Sequence, residues 1–154
     1  MLSINYTREM YLPVTTKTLF KWLAVVAWMG VIFMFSHQPA SVSSGQSTAV
    51  RESLATLRVD ASTQAVRKAA HVCMYAILGV AIYFALRDTS LQPTTAVLIA
   101  IAIAGLYAIS DEAHQLLIDG RSAQISDVML DTASSAFGVA AYTYIARNRR
   151  KDSA

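Results

Sequence analysis

The sequence predicts an all-α membrane protein: a bundle of four transmembrane helices with a short amphipathic helix in the first outer loop. Three observations carry that expectation. Only 15% of the 154 residues are charged and 55% are hydrophobic, whereas soluble domains carry about 25% charged residues. Mean hydropathy is +0.41, and the apolar residues are gathered into long runs. The formal net charge of +3 comes from basic residues that mostly flank those runs, as topology signals do, so membrane lipids are expected partners and nucleic acid is not. A lone cysteine, Cys73, lies inside an apolar run. It excludes an intrachain disulfide and reads as a small hydrophobe.

Residues 1–18 form a polar N-terminal tail, residues 19–146 the transmembrane domain and residues 147–154 a basic C-terminal tail. The first span runs from Leu19 to Phe35, with Lys21 near its start where it can snorkel. Its length approaches the roughly 20 residues needed to cross hydrocarbon and exceeds the apolar core of a signal peptide. Ser36 to Val66 is the longest polar stretch. Pro39 and Gly45 predict a loop at its start, and Val50, Leu54, Leu57 and Ala61 then recur at helical spacing, predicting the amphipathic helix. The second span is Ala69 to Leu86. The third is Thr94 to Ser110, continuing to about Leu117 before the Asp119-Gly120 turn. Ser126 is the expected N-cap of the fourth, Val128 to Ala146, with Asp127 near the positive end of the helix dipole.

Four spans place both termini on one side of the membrane, with eight of the 13 Lys and Arg residues. Positive-inside bias then predicts cytoplasmic termini, with Trp22 and Tyr144 near the inner interface. In that orientation the unusual polar residues all fall at the outer helix ends. Arg67, His71 and Tyr75 share one face of span two. Ala100, Ala104, Tyr107, Asp111 and His114 form a stripe on span three, and Asp127, Asp131, Ser134 and Gly138 form one on span four. The small residues on these stripes favour close helix approach. Packing inward would gather Arg67, Lys68, His71, Tyr75, Asp111, Glu112, Gln115, Arg121, Asp127 and Asp131 as a ligand-binding set.

Three accounts of that cluster stay open. It is an ion-pair network locking helix ends, a binding pocket, or a catalytic site with Glu112, His114 or His71 as acid–base. The pocket is preferred because His71, His114, Gln115 and Tyr75 add polar groups that charge neutralisation does not require. A two-His-carboxylate metal centre is disfavoured, since no paired motif such as HExxH is present, and no metal is expected. Nothing in the sequence names a cofactor. Arg67, Lys68 and Arg121 can equally hold a phosphate or carboxylate.

Taken together, FSHQPA after span one, RKAAHVCMYAILG opening span two, YAISDEAHQLLIDGR closing span three and SDVMLDTASSAFG opening span four resemble the VanZ-like family of small bacterial membrane proteins. The resemblance covers most of residues 20–145. Ser36 and Gln38 fit its polar signal after span one. Arg67, Lys68, His71 and Tyr75 fit its basic-His-Tyr entry, and Asp111, Glu112, Gln115 and Arg121 its third-span motif. Asp127 fits the Asp that begins its last helix. One turn later the family often has Asn, where this chain has Asp131. The resemblance implies a multi-pass protein of the bacterial cytoplasmic membrane, from a family named after a member associated with teicoplanin resistance. The expected function is an outward-facing polar pocket that binds or modifies a cell-envelope ligand, such as a lipid-linked precursor, and modulates glycopeptide susceptibility. An enzyme acting on an envelope lipid and a purely structural protein are the alternatives.

Overall fold

The computed structural model describes residues 16–56 and 62–151. All secondary structure among them is helical, in five helices: α1 (Thr16–Ser36), α2 (Ala40–Thr56), α3 (Thr63–Leu86), α4 (Pro93–Gln115) and α5 (Ile125–Lys151). Three of these are long and apolar enough to cross a membrane: α1, the Gln64–Leu86 part of α3, and α4. They mark a membrane protein, and large apolar side chains such as Phe20, Met34, Leu98 and Leu106 stand exposed around the bundle as lipid-facing residues do.

The fourth expected span, Val128 to Ala146, falls within α5. This helix is long enough but less apolar, and its polar residues are sorted by face. Asp131, Ser134, Ser135 and Gly138 turn inward, while Met129, Phe137 and Ile145 stay exposed. The α5 helix begins at Ile125, so Ser126 lies inside its first turn and is not the N-cap. Asp127 stands in that first turn as expected, and its N–H donates to Gln124 O at 2.9 Å.

The segment between α1 and α3 differs more from expectation. Helix starts at Ala40, immediately after Pro39, and takes in the Ser- and Gly-rich stretch expected to be a loop. Its buried residues are Ser43 and Ser47, whereas Val50 is 48% exposed. Serines four apart give a thin face that packs against α3, and the Ser47 hydroxyl is satisfied by Ser43 O at 3.0 Å. Leu57 and Ala61 lie outside the described residues.

α3 is the centre of the bundle and α5 its most extensive neighbour. The two approach backbone to backbone. A Cβ on Gly138 would stand 2.5 Å from Ala76 O, and one on Gly79 would stand 2.8 Å from Ser135 O. Ser135 Oγ donates to Tyr75 O at 3.1 Å in the same seam. The α1 helix is laced on by polar bonds to backbone: Trp28 Nε1 donates to Met74 O at 2.9 Å, and Tyr107 OH to Met29 O at 2.6 Å. At one end of the bundle, Lys21 pairs with Asp88 at 2.7 Å. Hydrogen bonding from that ammonium holds the Asp88 carboxyl below its usual range. The opposite end holds the polar cluster.

Candidate functional site

Side chains four apart on one helix share a face, and this rule assembles most of the site. On α3, Arg67 and His71 stand one turn apart, with Lys68 beside them. On α5, Asp127 and Asp131 do the same. The Gly79–Gly138 seam brings these faces together, so Lys68 Nζ meets Asp127 Oδ1 at 2.7 Å and His71 Nδ1 lies 3.3 Å from Asp131 Oδ2. The Asp131 residue is 1% exposed, and its Oδ1 has no hydrogen-bond partner among the described residues.

The last turn of α4 closes a third wall with Glu112 and Gln115, both buried. A turn follows, in which Gly120 takes φ 74°, the left-handed conformation that favours glycine. The chain then runs back over the cluster to α5. Glu112 Oε2 accepts the N–H of Gln124 at 2.8 Å, which pins this segment down. Arg121 anchors it a second way. Its Nε donates to Gln38 O at 3.0 Å, one terminal nitrogen to Gln115 Oε1 at 3.2 Å and the other to Phe35 O at 3.4 Å. The guanidinium thereby serves carbonyls where α1 ends, sharing Phe35 O with the Gln38 N–H.

These walls enclose a cleft of about 70 Å³. Eight of the ten residues expected in the binding set line it: Arg67, Lys68, His71, Glu112, Gln115, Arg121, Asp127 and Asp131. The other two, Tyr75 and Asp111, lie beside it as a buried layer. There Asp111 Oδ2 accepts from Ser36 Oγ at 2.8 Å and from Tyr75 OH at 3.3 Å. His114 is placed elsewhere. It stacks on Phe33 and His37, with His37 Nδ1 and His114 Nε2 3.0 Å apart, and does not line the cleft. One turn on from Asp111 comes Gln115, so the stripe continues through Gln115 and leaves His114 turned toward α1. Among the described residues no group of three or more His, Cys, Asp or Glu side chains is placed to hold a metal ion.

Gly120, Ser122 and Gln124 also line the cleft and were not anticipated. Their signal is topological: a nine-residue connection from Leu116 to Gln124 must return across the helix ends it joins. Arg67 additionally borders a recess of about 340 Å³ between α2 and α3, with Ser44, Ser47 and Gln64.

The cleft's charges are not evenly matched by pairs. Lys68 has Asp127, and Asp131 has His71. Arg67 has no hydrogen-bond or ion-pair partner among the described residues, and Arg121 bonds only to neutral oxygens. Burial, together with the like charge of Arg67, lowers the Arg121 guanidinium pKa from its ordinary value, against the opposing pull of Asp111 and Glu112. Neither guanidinium is in an ion pair, so together they can hold an anion, with the Glu112 carboxylate, bonded to the Gln124 N–H, as the negative group left beside them.

Fold and cleft together define a small helical membrane protein with a polar site enclosed by the ends of α3, α4 and α5. The chain belongs to the VanZ/LLP1 family, whose model matches residues 20–147. Comparison with curated proteins and with solved structures gave no match.

Proposed function

We propose that the chain spans the bacterial cytoplasmic membrane four times, with α5 as the fourth span and the termini inside. The cleft then faces outward and binds the anionic group of a lipid-linked cell-envelope ligand. Arg67 carries this assignment: it lines the cleft beside Arg121 and has no counter-charge of its own. The size of the cleft sets what enters. About 70 Å³ is smaller than the roughly 150 Å³ that admits benzene, so it takes a phosphate or carboxylate and leaves the rest outside. The recess that Arg67 shares with Ser44 and Ser47 offers hydroxyls to an attached polar group, and the lipid tail stays in the bilayer. Sequestering such a ligand on the outer face would change how glycopeptides meet their targets, which is the link to teicoplanin-type susceptibility.

A second reading is favoured by one observation, the contact of His71 with the fully buried Asp131. A carboxylate that orients an imidazole at the edge of a cleft is the arrangement of a general base, so the same ligand would be modified rather than held. In that reading Glu112 and His71 are the acid–base candidates, and His114, outside the cleft, is not.

Complementation of a deletion strain tests the binding assignment. Wild-type protein is expected to restore the envelope-lipid profile and glycopeptide susceptibility. Arg67→Gln, at equal abundance and melting temperature, is expected to restore neither. Equal restoration by both would remove Arg67 from the function. If His71→Gln protein still restores the phenotype and Arg67→Gln does not, binding is favoured over acid–base chemistry.

A further inference from the structure

A larger cavity, of about 490 Å³, lies at the opposite end of the bundle between the C-terminal ends of α3 and α5 and the start of α4. Its walls are of two kinds. Leu91, Ala96 and Val97 are apolar, whereas Arg87, Arg147 and Tyr142 bring two positive charges and a phenol. No carboxylate is among the lining residues.

Arg87 is held in place by neutral groups. One terminal nitrogen donates to Tyr142 OH at 2.8 Å, and the guanidinium carbon lies 5.3 Å from the centre of the Phe84 ring. The adjacent carboxylate, Asp88, is bound by Lys21 and Thr18 and makes no ion pair with Arg87. Arg147 is exposed and has no hydrogen-bond or ion-pair partner among the described residues. The cavity therefore presents two guanidiniums, neither in an ion pair with a carboxylate, above an apolar floor; Asp88, engaged by Lys21, acts on Arg87 only at longer range. In a membrane this end meets the headgroup layer, where basic pockets between helices recognise anionic lipid heads. Its volume falls in the range of roughly 300–1,000 Å³ typical of small-molecule sites, several times that of the outer cleft.

We infer that this cavity is a binding site for an anionic phospholipid, whose phosphate sits between Arg87 and Arg147 and whose upper acyl chain covers Leu91, Ala96 and Val97. The site is separate from the outer cleft and shares no residue with it. It does not depend on the function proposed for that cleft.

The full chain, purified in a neutral detergent, is mixed with micelles containing phosphatidylglycerol or phosphatidylcholine. Lipid retained after gel filtration is then measured by mass spectrometry. Wild-type protein is expected to retain phosphatidylglycerol at least tenfold over phosphatidylcholine, and the Arg87→Gln/Arg147→Gln double variant to lose that preference. Arg67→Gln protein is expected to keep it. Because Arg87 also holds Tyr142, the exposed Arg147→Gln single variant serves as a fold-neutral check and is expected to weaken retention severalfold. Equal retention of the two lipids by wild-type protein would overturn the inference. So would a preference lost in Arg67→Gln protein but kept in the double variant, which would move the lipid to the outer cleft. Soluble glycerol phosphate displacing the lipid at equal concentration would also overturn it, since the ligand would then be a free phosphate.

Discussion

Arg121 donates three hydrogen bonds, to Gln38 O, Gln115 Oε1 and Phe35 O, and so joins the end of α1, the last turn of α4 and the connection to α5. A guanidinium can do this because its donors diverge in one plane, and an ammonium has no such fork. Arg121→Ala is therefore expected to lower stability by roughly 2 kcal/mol, the scale of hydrogen bonds from a charged group. Arg121→Lys should recover only part of the loss, and thermal melting in detergent checks both. The residue was legible in the sequence as a cation of the cluster. Its attachment to α1 was not, because backbone carbonyls at a helix end leave no mark in the side-chain pattern. The same blindness hid Gln124, which meets Glu112 through its backbone N–H.

Between elements, the decisive contact is that of α3 with α5 at Gly138 and Gly79. The Gly138→Leu variant would drive a side chain into Ala76 backbone at 2.5 Å, and overpacking of this kind costs about 1–3 kcal/mol or more. At Gly30 an added Cβ meets nothing within 4 Å, so Gly30→Leu should melt much closer to wild type. A comparison of the two melting curves separates close packing from the general effect of replacing a glycine. This seam was readable in advance, since Asp127, Asp131, Ser134 and Gly138 recur at helical spacing and a stripe of small residues predicts close approach. The α2 helix was not. Its Pro, Gly and serines signal loop by local propensity, yet Ser43 and Ser47 pack well against α3 because they are small, and tertiary contact overrides propensity. His114 fell outside the site for a related reason. A residue three along from Asp111 shares its face only loosely, and Gln115, four along, took the inward position while ring stacking drew His114 to His37 and Phe33.

For the whole molecule, the proposed topology requires α5 to cross the bilayer with α1, α3 and α4. Its average hydropathy is lowered by Asp131, Ser134 and Ser135, all of which turn into the bundle, so composition understates how apolar its outer face is. With Cys73 replaced by serine, Ser122→Cys and Arg149→Cys proteins are expected to react with a membrane-impermeant maleimide from opposite sides of the membrane. Labelling of both from one side would leave α5 on the surface. The α3–α5 seam also bears on how such a protein is made. Chain order delivers α5 after α3 and α4, yet the groups that meet Asp131 and Ser135, His71 and the Tyr75 carbonyl, lie on α3, two helices earlier. An isolated α5 would enter lipid with the Asp131 carboxylate unmatched, whereas Ser134 and Ser135 keep bonds to Leu130 O and Asp131 O of their own helix. A carboxylate at the bilayer centre costs roughly 2.5–3.5 kcal/mol, and less toward the interface. If α5 crosses the bilayer as proposed, its insertion is templated: the α3 face that carries His71, Tyr75 and Gly79 has to be in place to receive it.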